Sequence, residues 1–342
     1  MTKFVIVGAG VIGLYTAFEL LQHGISGNEL SVIAEFSPGD ESINYPSMAA
    51  GANHSLMSGE DDNMLKFEKY NYLNMHKIQQ AIGGKEKGID RYKSTEYWEI
   101  KPSSMKKIDS VKSYFEEYEE IPVSKLPDGA EFGISFLSWN FNAPKFLFNL
   151  YKHLQSQGVS FTRKKLSHII QAYSDDTKYV FNCTGLGAKD LIGDKLMYPA
   201  RGQVVVVKAP HIKENVMLWS KYKPPTYIIK RPFSNDQLIL GGFYQKDDYR
   251  SDNYKAENDD VLKRTTKLFP KILNGKSIED LEVLKNVTGF RPGRYGGVRI
   301  EKERFDEGKI LIHNYGAGGY GYQAGYGMAH YAVDLALNES KL

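Results

Sequence analysis

An α/β fold is predicted for this chain, with a Rossmann-like dinucleotide-binding unit and a second α+β unit carrying a mainly antiparallel sheet. Three observations predict it. An apolar strand runs straight into a GxGxxG turn and a helix within the first 24 residues. A strand, a glycine-rich turn and a helix follow one another again after residue 309. Between them, residues 202–242 read as short strands divided by Pro and Gly.

Phe4-Val5-Ile6-Val7 is the kind of apolar, β-rich run a buried parallel strand needs, and it stops at Gly8. Gly8-Ala9-Gly10-Val11-Ile12-Gly13 follows, and Leu14, Ala17, Phe18 and Leu21 then recur at helical spacing up to His23-Gly24. Gly8 makes the tight turn, Gly10 lets the backbone approach a pyrophosphate, and Gly13 lets the helix pack close to the strand. The helix N-terminus adds free N–H groups and positive dipole. A second strand, residues 30–34, ends in Glu35, about 20 residues past the last glycine, where a ribose-binding carboxylate belongs. The acid argues against a 2′-phosphate, so NADP is disfavoured while FAD and NAD stay open.

Residues 55–135 lose this regularity and read as an insertion. A helical pattern returns over 142–158 through Phe146, Leu147, Leu150 and Leu154, followed by the strand-like Val159-Ser160-Phe161. Residues 177–182 then lead into Cys183-Thr184-Gly185, a corner suited to close passage under a nucleotide. Residues 204–207, 227–229 and 237–242 are expected strands of the antiparallel sheet, and the proline-bearing loop 221–225 reads as a connection that could also cover a site. Residues 309–314 form a strand that stops at Tyr315-Gly316-Ala317-Gly318-Gly319-Tyr320-Gly321, before a helix over 324–337. His313 in that strand reads as a packed core histidine. The expected division is discontinuous: 1–54, 136–198 and 300–342 for the nucleotide unit, and 55–135 and 199–299 for the second.

Composition sets the outer limits. A chain of 342 residues with 42% apolar and 25% charged residues has room for two globular units. The net charge of +3 excludes a strongly basic nucleic-acid surface, and Arg163-Lys164-Lys165 reads as a solvated face. A single cysteine, Cys183, excludes an intrachain disulfide and fits a reducing compartment. Eight histidines show no ligand spacing, so no metal is expected. No apolar run nears the roughly 20 residues of a membrane span, so a soluble protein is expected.

Six blocks carry a resemblance. They are residues 5–14, Ala49-Ala50-Gly51-Ala52-Asn53, residues 182–188 (Asn-Cys-Thr-Gly-Leu-Gly-Ala), residues 201–206, Gly289-Phe290-Arg291-Pro292 and residues 313–323. Over its whole length the chain resembles the D-amino-acid oxidase family of FAD flavoproteins, which implies FAD rather than NAD. The resemblance implies that Gly8, Ala9, Gly10, Val11, Ile12 and Gly13, with Glu35, hold the ADP half, that Leu166 edges the adenine, and that Thr184 lies on the nucleotide side. It brings Ala50, Gly51 and Asn53 to the flavin, with Gly318, Gly319, Tyr320, Gly321, Tyr322 and Gln323 placing N–H groups beside the ring. Arg291 corresponds to the arginine that binds the substrate α-carboxylate, Tyr227 and Tyr244 to two tyrosines lining the site, and the Gly319 carbonyl would take the amine.

Two departures stand out. Relatives carry Ser-Pro-Trp before the Ala-Gly-Ala-Asn block and Trp after it, where this chain has Pro46-Ser47-Met48-Ala49 and His54. D-aspartate oxidases, a sister group, tend to have Arg at position 244, where this chain has Tyr. That favours neutral D-amino acids, although Lys221 and Lys223 could supply a cation. The implied reaction passes a hydride from Cα of a D-amino acid to the flavin, giving an imino acid that water hydrolyses to a 2-oxo acid and ammonia, and oxygen reoxidises the flavin to form hydrogen peroxide. A D-aspartate oxidase, a nicotinamide-dependent dehydrogenase and a catalytically dead flavin-binding module are the rival readings. The closing Ser340-Lys341-Leu342 reads as an address for the peroxisomal import receptor, so the peroxisome matrix is expected. A homodimer is what the resemblance suggests.

Overall fold

The computed structural model describes residues 3–306 and 308–338, so Ser340, Lys341 and Leu342 lie outside the described residues. The elements run β1 (Phe4–Val7), α1 (Val11–Gln22), β2 (Leu30–Ala34), α2 (Asp62–Ala81), β3 (Ile89–Trp98), α3 (Lys106–Lys112), β4 (Glu119–Glu120), β5 (Phe132–Phe141), α4 (Ala143–Ser156), β6 (Ser160–Arg163), β7 (Tyr179–Asn182) and α5 (Ala188–Leu191). They continue through β8 (Met197–Lys208), β9 (Asn215–Trp219), β10 (Thr226–Lys230), β11 (Gln237–Gly241), β12 (Gln245–Lys246), α6 (Lys255–Leu268), β13 (Val283–Arg294), β14 (Arg299–Asp306), β15 (Lys309–Tyr315) and α7 (Gly321–Leu337).

Among the described residues these strands form two sheets. The first has the order β14-β15-β7-β1-β2-β6, parallel except for β14 at its edge. Ile6 and Phe181 face a core shared with Leu14, Phe18, Phe146 and Ala329 of the covering helices, while Val5, Val7 and Val180 pack against Ile169 and Leu191 on the other face. Burial on both faces is why β1 is apolar at every position. The second sheet has the order β12-β8-β11-β10-β9-β3-β5-β4, with β13 paired to β8, and is antiparallel except for β3 with β9. Its period of two sorts the side chains. Val205, Val207, Ile228 and Leu240 face a core with Val261 of α6, and Val204, Val206, Tyr227 and Ile229 face the opposite way.

The stretch read as an irregular insertion is regular. It holds the 20-residue helix α2 and the ten-residue strands β3 and β5. The buried stripe of α2 runs Met64, Phe67, Glu68, Asn71, Tyr72, Met75 and Ile78, so its spacing is helical but polar members break the apolar pattern. In β3 the buried positions include Ser94 and Glu96 for the same reason. Strand membership also departs from the expected division: β5 pairs with β3 from Phe132↔Trp98 to Phe141↔Ile89, which puts residues 136–141 in the second sheet. Helix α7 begins three residues earlier than the expected 324, with Gly321, Tyr322 and Gln323 in its first turn.

Candidate active site

The first turn is built by space as much as by conformation. Gly8 has φ +111°, a backbone conformation L side chains rarely adopt, and a Cβ there would lie 2.5 Å from the Cys183 carbonyl oxygen. A Cβ on Gly13 would meet the Gly8 carbonyl oxygen at 1.9 Å, so helix and strand approach to a separation only glycine permits. Gly10 precedes α1 without a side-chain cap, and the Val11 N–H donates instead to Ser47 Oγ at 3.1 Å. Tyr45 ties the same loop by donating to the Ala9 carbonyl at 2.6 Å, and Tyr322 donates to the Ser47 carbonyl at 2.7 Å. Segment 45–55 therefore links the starts of α1 and α7. Burial pushes the Cys183 thiol up to about 12, which keeps this cavity-lining sulfur protonated at neutral pH.

A cavity of about 680 Å³ opens beside these turns, and its walls come from both sheets. Gly8, Ala9, Gly10, Val11, Ile12, Glu35, Leu166 and Thr184 line it from the parallel sheet. Ala50, Gly51, Asn53, Gly318, Gly319, Gly321, Tyr322 and Gln323 line its middle, and Tyr227 and Arg291 come from the antiparallel sheet. Gly13 does not line it and acts through packing. Tyr244 and Tyr320 are not among the lining residues either; Tyr320 packs against Met64, Phe67 and Ala324 instead. The Tyr244 hydroxyl would lie 3.2 Å from a Cβ on Gly318, and its ring centre is 5.6 Å from Arg291 Cζ, so it borders the site from behind. His313 lies outside the lining, nearly fully buried.

Arg291 sits on β13 opposite Ala200, with its guanidinium over Gly202 of the neighbouring strand, where a Cβ would come within 2.1 Å of Nη1. Nη1 donates to the Phe243 carbonyl at 2.8 Å and Nη2 to the Tyr227 hydroxyl at 3.3 Å, and no ion pair to Arg291 occurs among the described residues. Tyr227 is seated the same way: it pairs with Gly241 across the ladder, and Cβ atoms on Gly241 or Gly242 would enter its ring. Three glycine positions thus hold open the seats of two large side chains. Among the described residues the carboxylates lining the cavity are Glu35 and Asp190, both on the parallel-sheet side, and no histidine lines it. The end holding Arg291 therefore carries an unneutralised cation facing a cavity, a site for an anion with a planar head.

Several positions were not singled out in the sequence. Lys164 and Lys165 border the cavity while staying exposed, in keeping with their reading as a solvated face, and Lys165 pairs with Glu35 at 2.9 Å. A basic run looks alike on a free face and beside a nucleotide, so no local signal separated the two. Met217, Trp219 and Ile229 add an apolar wall near Tyr227. The Trp219 indole donates to Glu96 at 2.7 Å, and the Leu56 N–H approaches both oxygens of the same carboxyl at 3.2 Å. Glu96 is fully buried, and desolvation raises its pKa to about 7. Gln323 donates to the Ser55 carbonyl and to Glu68, and Glu68 forms a buried ion pair with Lys107 at 2.6 Å. Buried Arg231 donates to the Ala50 carbonyl at 3.1 Å and steadies the turn that follows. His54, where relatives carry Trp, is buried beside Phe141 and Asn71, and desolvation lowers it to about 3, so it stays neutral.

These residues fit a dinucleotide with a flavin head. Glycine turns and two helix N-termini suit phosphates and a reducible ring, Glu35 suits a ribose, and lysines offset the anionic charge. Comparison with known proteins agrees. The family model described as FAD dependent oxidoreductase matches residues 3–335. A D-amino-acid oxidase of Schizosaccharomyces pombe is 41% identical over 343 residues, covering 99% of this chain and 97% of the relative. A D-aspartate oxidase of Talaromyces thermophilus is 27% identical over 98% of this chain and 95% of its own length. Among solved structures, a glycine oxidase from Bacillus cereus superposes with a TM-score of 0.76 at 14% identity, covering 98% of this chain and 94% of that one, a likeness of fold.

Proposed function

Because the chain belongs to the FAD dependent oxidoreductase family, its cofactor is FAD, and we propose that it oxidatively deaminates neutral D-amino acids to 2-oxo acids, ammonia and hydrogen peroxide. The observation that carries this reading is Arg291, a guanidinium that faces the cavity with no carboxylate partner among the described residues; Nη1 and Nη2 each hold one neutral protein oxygen and each keep a second N–H for a planar α-carboxylate. The Tyr227 hydroxyl, 3.3 Å from Nη2, supplies a second contact to the same group. The Gly319 carbonyl would accept from the substrate amine, and Tyr244 backs Arg291 from outside the cavity.

Gly8, Ala9, Gly10, Val11, Ile12, Glu35, Leu166 and Thr184 would hold the ADP half, with Ala50, Gly51, Asn53 and residues 318–323 at the flavin. Bound FAD would supply the two-electron acceptor for a hydride leaving Cα. The protein's part is orientation: with the carboxylate on Arg291 and the amine at Gly319, the position of Cα is set by two contacts. Among the described residues no histidine lines the cavity and no carboxylate lines that end, and a substrate bound with its amine neutral needs no protein base. Met217, Trp219 and Ile229 offer a substrate side chain apolar walls, which favours neutral over acidic D-amino acids.

A peroxide-coupled assay of the flavin-loaded protein over D-Ala, D-Met, D-Asp, glycine and L-Ala tests the reading. Turnover of D-Ala and D-Met, with little on D-Asp and none on L-Ala, is expected. D-Asp preferred over D-Ala would replace it with a D-aspartate oxidase, and no peroxide from any D-amino acid would leave a flavin-binding module. Peroxisomal import through Ser340-Lys341-Leu342 suits an enzyme that releases peroxide, and deleting the three residues from a fluorescent fusion should return it to the cytosol. A homodimer belongs to the same reading and is checked by sedimentation.

A further inference from the structure

We infer that Glu19, His23 and His330, backed by Asp334, form a binding site for one divalent transition-metal ion of the Zn²⁺ or Co²⁺ type. The inference does not depend on the reaction. No metal was expected from the sequence, because the eight histidines show no ligand spacing; this group joins segments about 300 positions apart.

The two helices that carry the residues pack side by side and run in the same direction. A Cβ on Gly321 would touch Val11 and one on Gly325 would touch Ile12 and Tyr15, while further along Glu19 meets His330 and His23 meets Asp334. Their N-termini border the cavity, and the cluster lies about 12 Å further along α1 at 1.5 Å per residue. Glu19 and His23 are four residues apart, as are His330 and Asp334, so each helix, with the residue that follows α1, presents an adjacent pair on one face. Paired i,i+4 ligands on facing helices are a recurrent way to hold a metal.

The ligand atoms of Glu19, His23 and His330 all lie within 4.8 Å of one another. Glu19 Oε1 is 2.7 Å from His330 Nδ1 and 3.5 Å from His23 Nδ1, and the Asp334 carboxylate is 3.4 Å from His23 Nε2 and 3.7 Å from His330 Nε2. Each imidazole thus has a carboxylate at both nitrogens. An ion taken on one nitrogen leaves the other N–H a carboxylate to donate to, the arrangement that orients metal-bound histidines. Tyr70 stacks on the His330 ring at 4.0 Å and donates to Glu19 Oε1 at 3.2 Å, which holds two of the three ligands in place. Glu19 is buried, whereas the His23 and His330 side chains are 28% and 33% exposed, so the ion has an anchor on one side and an entry path on the other. Two imidazoles with carboxylate oxygen suit Zn²⁺ and Co²⁺ rather than Ca²⁺ or Mg²⁺, which prefer all-oxygen shells.

The flavin-loaded protein, stripped of metal with a chelator and dialysed, is titrated with ZnCl₂ by calorimetry. One saturable equivalent is expected, about 10- to 100-fold weaker in His23→Asn, a part-exposed position whose replacement leaves the core intact, and lost in His330→Asn. At one fixed concentration Zn²⁺ should raise Tm most in the parent protein, less in His23→Asn and not at all in His330→Asn. Co²⁺ should give visible d–d absorption in the parent protein alone. No saturable equivalent, or equal Zn²⁺ binding by the parent protein and His23→Asn, overturns the inference and leaves the four groups as an ion-paired staple between α1 and α7.

Discussion

The two sides of the cavity are made of different material. On the parallel-sheet side and in the middle the lining comes largely from backbone: Gly8, Gly10, Gly318, Gly319 and Gly321 put no side chain between main chain and cavity, and helix starts border the space. On the antiparallel side they come from side chains, Arg291 and Tyr227, each laid over a glycine on the next strand. A backbone site tolerates change of ligand but no added atom. A side-chain site tolerates added volume around it but depends on the chemistry of one or two groups. Substitutions should therefore fail in different ways on the two sides.

The largest effect is expected for Arg291→Ala. It should lower kcat/KM for D-Ala by about three orders of magnitude, mostly through KM, while flavin content and absorbance stay as in the parent protein. Unchanged KM would remove the chemical basis of the substrate side. Gly13→Ala should do the reverse. Its Cβ would lie 1.9 Å from the Gly8 carbonyl, so a loss of about 3 kcal/mol in stability and release of flavin on gel filtration are expected, with any retained holoenzyme showing a normal KM. A normal flavin content would show that the turn can relax.

Glu96 sharpens the comparison through pH. Its folded pKa of about 7 lies above the ordinary carboxylate value, so between about pH 4.5 and 7 the folded state holds a proton that the unfolded state has lost. Stability should fall as pH rises through that window, by about 3 kcal/mol at most, and Glu96→Gln should flatten the fall. Urea midpoints of both proteins at pH 5 and pH 8 measure it; parallel slopes would show that Glu96 titrates normally. The smallest effect is expected for Trp219→Ala. Trp219 also lines a second cavity of about 330 Å³ with Trp98, Ile100, Lys101, Ser103, Ser220 and Lys221. Removing the indole should join the two and raise the kcat/KM ratio of D-Phe to D-Ala about tenfold. A ratio that does not move would mean that Trp219 is not the end wall.

The same contrast explains what could be read without coordinates. β1 falls where expected because a strand buried on both faces is written as an unbroken apolar run, β2 and β15 because their apolar residues are bounded by turn signals, and Gly8 to Gly13 are visible because every position in the turn is adjacent in sequence. Helix α2 and strand β3 were missed because Glu68, Asn71, Ser94 and Glu96 are polar yet buried, and local patterns assign polar residues to the outside. Lys164 and Lys165 are exposed as read, and only the fold shows that this exposed run borders the cavity.

The sequence by itself determined the glycine turns, the acid at position 35, the strand over residues 227–229, and the six blocks that led to the family. These rest on neighbours in the chain, where covalent spacing fixes geometry. Only the tertiary structure decided that Arg291 lies over Gly202 beside the Tyr227 hydroxyl with no counter-ion among the described residues, that Glu96 anchors Trp219, and that Glu19 and His23 meet His330 and Asp334. Those contacts join residues from 64 to over 300 positions apart, or depend on what burial removes from a charge, and both are properties of packing that no local pattern encodes.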